Sequence, residues 1–226
     1  MNYLCIAENK LHLKKTLLYY VFILSCLITS CQTNDRVLPI YGKKEAVKKV
    51  VDGKEVTDTI YQTIPAFSFL NQDSVPTSNA FFDGKIYIAD FFFTRCPSIC
   101  PIMHRNLYNI YEHFRDNNSI LYLSHTVDFK NDKPSVLKRY ADKLGVTDKR
   151  WQFVTGPKEQ IYSLAEESYI STAEEMAEAP GGYAHSGFFL LIDRQRRLRG
   201  AYDGTDSLAV KQLIEDAEIL LNENNQ

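Results

Sequence analysis

The stretch Phe91-Phe92-Phe93-Thr94-Arg95-Cys96-Pro97-Ser98-Ile99-Cys100-Pro101-Ile102-Met103-His104 joins three signals in one place. An unbroken apolar run predicts a buried strand, two cysteines with three residues between them follow, and helical spacing begins after Pro101. Both sulfurs therefore fall where a strand becomes a helix. Unpaired N–H groups and the positive end of the helix dipole favour thiolate over thiol at such a place. The pair is suited to a soft metal or to disulfide formation. Pro101 has no N–H to give and fits only the first helical turn, and Ser98 is the natural N-cap. This puts Cys96 in the loop before the helix and Cys100 in its first turn, both facing one mouth. A purely structural disulfide stays open as the alternative, since paired cysteines are common in exported domains.

Working outward, residues 85–93 read as the strand that feeds the cysteines, after an Asp83-Gly84 turn. Upstream, residues 64–70 alternate as a short strand, where the folded domain is expected to begin. Downstream, Met103, Leu107, Ile110, Tyr111 and Phe114 recur at helical spacing, and residues 120–125 read as a second strand. Pro134 opens a helix that Gly145 stops. A strand over 151–154 and a helix over 157–168 follow. Residues 174–182 are acidic and end in Pro-Gly-Gly, which reads as a mobile loop. It leads into Tyr183-Ala184-His185-Ser186, a buried strand over 187–193, a hairpin partner through Ala201-Tyr202 and a last amphipathic helix carrying Leu208, Leu213, Ile214, Ala217, Leu220 and Leu221. Arg194, Arg196, Arg197 and Arg199 form the densest basic cluster, read as a solvated hairpin turn. Strand and helix alternate throughout, which argues for an α/β fold, a sheet with helices on both faces. A CxxxC pair entering the helix after a central strand makes that fold look thioredoxin-like.

The N-terminus reads as a targeting segment. Lys10, Lys14 and Lys15 flank an apolar run over 17–28, short of the about 20 residues that a membrane-spanning helix needs. Leu27-Ile28-Thr29-Ser30-Cys31 resembles a bacterial lipobox, which implies a signal peptide over residues 1–30, cleavage after Ser30 and lipid on Cys31. An uncleaved anchor is the other reading. Either way the domain works outside the cytoplasm and is tied to a membrane. Cleavage removes Cys5 and Cys26, so Cys96 and Cys100 remain as the matched thiols. Residues 31–63 are polar with scattered apolar positions and read as a tether, with a small hairpin around Asp52-Gly53. The expected layout is a signal peptide (1–30), a tether (31–63) and one domain (64–226).

The bulk composition narrows the class. Hydrophobic residues make up 45% and charged ones 24% of the 226, which is ordinary for one globular domain. A formal net charge of −2 gives no electrostatic case for nucleic acid or an anionic surface. A monomer is the default.

Two thiolates suit Cu(I), zinc or iron–sulfur clusters, and an added imidazole suits copper or zinc. His185 is the best candidate for that third ligand, because in a thioredoxin-type fold the loop before the hairpin strand passes the cysteine-bearing helix terminus. Gly181 and Gly182 give that loop freedom. A histidine that merely caps a strand end remains the other reading of the residue alone. His104, one turn after Cys100, is the runner-up ligand. His113 lies off its helix's apolar stripe and is expected in solvent, His12 leaves with the signal, and His125 ends a strand without an assigned role.

Taken together, Asp83-Gly84-Lys85, the run from Asp90 through the cysteines to Pro101, Thr126-Val127-Asp128 with Asp132-Lys133-Pro134, Trp151-Gln152-Phe153-Val154-Thr155-Gly156 and Tyr183-Ala184-His185-Ser186 resemble the Sco/SenC family. The resemblance covers residue 65 to the C-terminus in order and spacing. It implies a thioredoxin-like fold with a central mixed sheet flanked by helices. It also implies a copper ion, Cu(I) or Cu(II), held by Cys96, Cys100 and His185, and a part in assembling the binuclear copper centre of cytochrome c oxidase, with its copper-bearing subunit as partner. Ala184 departs from the acidic residue many members carry there. Thioredoxins place two residues between their cysteines and a proline before the facing strand. Here there are three residues and His185-Ser186, which favours metal over disulfide exchange. Three functions follow as expectations: a membrane-tethered metallochaperone facing the periplasm, a thiol-disulfide oxidoreductase using Cys96 as attacking thiol and Cys100 as its partner, or a redox or copper sensor.

Overall fold

The computed structural model describes residues 36–223. The signal segment and the lipidation candidate Cys31 lie outside the described residues.

Strands β1 (Lys44–Val51) and β2 (Lys54–Tyr61) pair antiparallel over their full length, from Lys44↔Tyr61 to Val51↔Lys54. Asp52 and Gly53 turn between them with φ of 50° and 75°, the left-handed pair that a two-residue hairpin requires. This is the hairpin expected from Asp52-Gly53. Just before it, Leu38 is buried in the main core, and the Tyr41 N–H donates to the Leu198 carbonyl. The segment read as a tether is thus partly built into the domain.

The main sheet begins with β3 (Ser68–Asn71) and β4 (Pro76–Ser78), an edge hairpin whose second strand was not expected. Next come β5 (Ile86–Phe92), helix α1 (Cys100–His113), β6 (Ile120–Thr126), helix α2 (Pro134–Leu144) and β7 (Trp151–Thr155). Strands β5, β6 and β7 run parallel, so two crossovers join them, and α1 and α2 supply them. Every residue of these three strands is buried, as expected for parallel strands covered on both faces. Each large apolar side chain so placed contributes about 1.5–3 kcal/mol.

Helix α3 (Lys158–Ser163) runs on as a π-helical turn to Ser168. After it come the small hairpin of β8 (Ala173–Glu175) and β9 (Tyr183–His185), then β10 (Phe188–Ile192), β11 (Leu198–Asp203) and helix α4 (Ser207–Asn222). The seven-stranded sheet has the order β11-β10-β5-β6-β7-β3-β4, with antiparallel strands flanking the parallel centre. It is the central mixed sheet that the Sco/SenC resemblance implied.

Strand pleat assigns alternate residues of β5 to opposite faces. Asp90 and Phe92 meet His104, Ser124 and Phe153 on the α1–α2 side. Phe91 and Tyr87 meet His125 and Tyr169 on the other. Among the described residues no helix is long and apolar enough to cross a membrane.

Two sequence expectations need correction here. The acidic stretch 174–182 is not an unstructured loop at its ends: Glu174 and Glu175 pair with Ala184 and Tyr183, and Glu175 bridges Lys130 at 3.0 Å and Lys158 at 3.1 Å. The basic cluster is not all solvated either. Arg199 is 3% exposed, paired with Glu223 and Asp193, and donates to the carbonyls of Leu38 and Pro39. Arg194 caps the end of α4 through the carbonyls of Leu220, Leu221 and Glu223. A charge run in sequence carries no sign of which arginine has an acidic partner folded against it.

Candidate metal centre

At the end of β5 the chain turns through Phe93–Cys96, with the Cys96 N–H donating to the Phe93 carbonyl. Cys100 is the first residue of α1 and Pro101 the second, where its missing N–H costs nothing. Ser98 does not cap this helix. The cap position is Ile99, in helical conformation and with no side-chain bond, while the Ser98 hydroxyl lies 3.6 Å from the Cys96 sulfur. The serine serves the thiol rather than the helix.

Both cysteines are free and buried, Cys96 at 9% exposure and Cys100 at 1%. They are unequal as acids. The hydrogen bond from Cys100 pulls the Cys96 thiol far below its ordinary range, helped by His185 and by the backbone N–H groups of Cys100 and Ser98. Cys100 is pushed up by the same shared proton and by burial. Thiolate character therefore concentrates on the more accessible sulfur.

His185 arrives from the opposite side, on β9. Its Nε2 stands 3.2 Å from the Cys100 sulfur and 4.0 Å from that of Cys96. Its Nδ1 lies 3.1 Å from the Ser186 carbonyl, which can only accept, so Nδ1 carries a proton and Nε2 is the ring atom left facing the sulfurs. The three ligand atoms lie within 4.8 Å of one another, and among the described residues they are the one such cluster of three. Two soft sulfurs and one imidazole suit copper or zinc. Gly181 explains how the hairpin comes so near: its φ is +84°, and a Cβ there would sit 2.6 Å from the Phe93 ring.

The other histidines do not join the cluster. His104 is fully buried and saturated, its Nε2 donating to Asp90 at 2.9 Å and its Nδ1 accepting from the Tyr140 hydroxyl at 2.8 Å. Its place as runner-up ligand is not supported, because helical spacing set its distance along the chain and the Asp90 carboxylate set its direction. His113 is half exposed and meets Glu218 at 3.2 Å. His125 is buried among Phe67, Phe69, Phe91 and Tyr169, and its Nε2 has no partner. Burial holds its pKa down to about 4.

Asp128 and Asp132, which the motifs Thr126-Val127-Asp128 and Asp132-Lys133-Pro134 carry without an evident role, lie beside the site. Asp132 accepts the Thr94 N–H at 2.9 Å and the hydroxyls of Thr94 and Thr126 at 2.5 and 2.6 Å. Burial raises its pKa against these bonds. Asp128 accepts from Arg95 and Tyr183, on the two sides of the site. The available signal was two carboxylates just beyond a strand that opens on the apolar run 120–123.

Fold and site together define a thioredoxin-like domain in which two thiols and an imidazole converge at the end of the central strand. The SCO1/SenC family description matches residues 55–221, and the chain belongs to that family. Among solved structures, a SCO1/SenC family lipoprotein from Bacillus anthracis str. Ames is 27% identical with a TM-score of 0.65, covering 71% of this chain and 96% of its own. BsSco, described as a member of the Sco family of cytochrome c oxidase assembly proteins with a disulfide switch, is 26% identical with a TM-score of 0.64, covering 72% and 95%. Yeast Sco1 with copper bound shares the fold at 23% identity and a TM-score of 0.52, covering 73% and 96%.

Proposed function

We propose that the chain binds one copper ion through Cys96, Cys100 and His185 and delivers it to the copper-bearing subunit of cytochrome c oxidase during assembly. The observation that carries this reading is the His185 ring, whose Nε2 faces both sulfurs while its Nδ1 is held by the Ser186 carbonyl. A third metal ligand needs such an arrangement, with one ring nitrogen fixed and the other aimed at the sulfurs. Copper is cargo here, so the site must also release it. A partly buried imidazole on a small hairpin is the part of the ligand set that can withdraw. Lipid on Cys31 would hold the domain outside the cytoplasm, beside a membrane-bound oxidase, with the protein acting as a monomer.

The second reading is a thiol-disulfide oxidoreductase that keeps the partner's copper-ligand cysteines reduced. The unequal cysteines favour it: Cys96 as thiolate attacks the partner disulfide, and Cys100 then displaces the partner by forming the Cys96–Cys100 disulfide. Two electrons pass to the partner, whose two sulfurs leave as thiols. Anaerobic titration of the reduced protein with Cu(I) separates the readings. One-to-one binding that His185→Ala weakens strongly is expected for the first. Weak binding indifferent to His185, with a reduction potential well below that of the partner, would replace it by the second.

A further inference from the structure

The loop between β6 and α2 contributes no ligand, yet it touches both sides of the site. Asp128, 0% exposed, accepts from Arg95 Nη2 at 2.8 Å through Oδ2 and from the Tyr183 hydroxyl at 2.9 Å through Oδ1. The Asn131 backbone and side-chain N–H groups fill its remaining positions, at 3.1, 2.8 and 3.0 Å. Arg95 immediately precedes Cys96. Tyr183 lies two residues before His185 on the same strand, so the two side chains leave the strand on the same side. One carboxylate thereby joins the residue beside the first thiol to the strand that carries the imidazole.

The same loop holds each side a second time. Asp132 fixes Thr94 in the cysteine turn, and Lys130 bonds Glu175, which pairs across the hairpin with Tyr183. Burying a carboxylate is costly, and apolar packing stabilises a fold as well or better. Asp128 nevertheless stays charged: burial works against it, but the bonds from Arg95, Asn131 and Tyr183 win and hold its carboxyl below the ordinary range. A fold-stabilising role alone would not require its two partners to flank the two kinds of ligand.

We infer that Asp128 is the positioning residue of this centre, clamping the cysteine turn to the His185 hairpin through Arg95 and Tyr183 so that sulfur and nitrogen donors stand at binding distance before metal arrives. This rests on the copper-binding reading above. Removing the clamp leaves all three ligands present but lets the imidazole drift from the sulfurs.

The test uses the detergent-solubilised full chain, reduced, with Cu(I) alone supplied in competition with a chelator. Tyr183→Phe removes one hydroxyl while keeping the ring that packs on Phe93 at 5.3 Å, and Asp128→Asn removes the charge. Cu(I) affinity is expected to fall about tenfold for the first and about a hundredfold for the second, the range for partners behind metal ligands. In the metal-free protein, amide exchange at Ala184 and His185 should quicken in both, and in the Cu(II)-loaded protein the nitrogen hyperfine coupling should weaken. Because Asp128→Asn also weakens buried bonds to Arg95 and Asn131 that hold the fold, Tyr183→Phe decides. Affinity, exchange and hyperfine coupling all unchanged in Tyr183→Phe, or a lowered Tm with affinity intact, would overturn the clamp. If His185→Ala and Cys96→Ala abolish binding in the same titration, the copper reading survives that failure. If they too bind normally, the copper reading itself falls.

Discussion

The core behind the cysteines and the hairpin in front of them each present a histidine, and they hold it in opposite ways. His104, in the core, has both ring nitrogens engaged by groups on rigid elements, Asp90 on β5 and Tyr140 on α2. His185, on the hairpin, gives one nitrogen to a neighbouring carbonyl and leaves the other facing the sulfurs. Nearness in sequence favoured His104. Hydrogen-bond saturation favours His185 as the candidate ligand, because a nitrogen already bound to a buried carboxylate can turn to a metal only by leaving that carboxylate unpaired.

The contrast is broken most forcefully from the core side. Asp90 accepts from His104 at 2.9 Å and from the Ser124 hydroxyl at 2.5 Å, and the Trp151 indole donates to Ser124 in turn. Asp90→Ala strands these buried donors and is expected to cost about 3–5 kcal/mol, read by denaturant unfolding. A loss under about 1 kcal/mol would show that the network is not what holds His104 in place.

His125 sharpens the same point, being buried without being saturated. Its pKa falls to about 4 in the folded state from 6.5 in the unfolded chain. The unfolded chain therefore takes up the proton first as pH drops. The contribution of His125 to stability is complete above pH 6.5, declines between 6.5 and about 4, and then stops changing, with a total loss of about 3 kcal/mol. His125→Phe fits the surrounding aromatic cage and should remove this component. Unfolding curves of the two proteins should diverge below pH 6.5 and run parallel below pH 4. Parallel curves throughout would mean that water reaches the ring.

On metal binding the two regions should part by at least about a hundredfold. His185→Ala removes the proposed third ligand and should exceed the 10–100-fold typical of a supporting residue. His104→Gln keeps a donor toward Asp90 and should leave Cu(I) affinity close to that of the unaltered protein. Similar losses in both would return His104 to the ligand set. The smallest effect is expected at Ser98: a helix N-cap lost to alanine costs about 1 kcal/mol, but Ser98 faces the Cys96 sulfur. Ser98→Ala should thus leave thermal stability nearly unchanged while altering the alkylation rate of Cys96.

Much of this architecture was legible because it rests on period and punctuation. The apolar runs at 85–93, 120–125 and 187–193 are strands, and Pro134 and Gly145 bound α2, with Gly145 at φ 84° as a left-handed cap. Strand β4, three residues long and led by Pro76, carried no alternation to read. The β8–β9 hairpin was hidden for a different reason: its pairing is fastened by Glu175, Lys130 and Lys158, which are far apart in the chain.

The sequence by itself determined where the candidate thiols lie. Two cysteines at the junction of a buried strand and a helix are placed by local rules of strand burial, proline and helix start, and these act over a few residues. It also narrowed the third donor to a short set of histidines. Only the tertiary structure shows which of them faces the sulfurs. Ring direction and nitrogen availability depend on partners such as Asp90, Tyr140 and the Ser186 carbonyl. Whether a ring has nitrogen to spare depends on which groups the whole fold brings around it, and no local period or spacing encodes that.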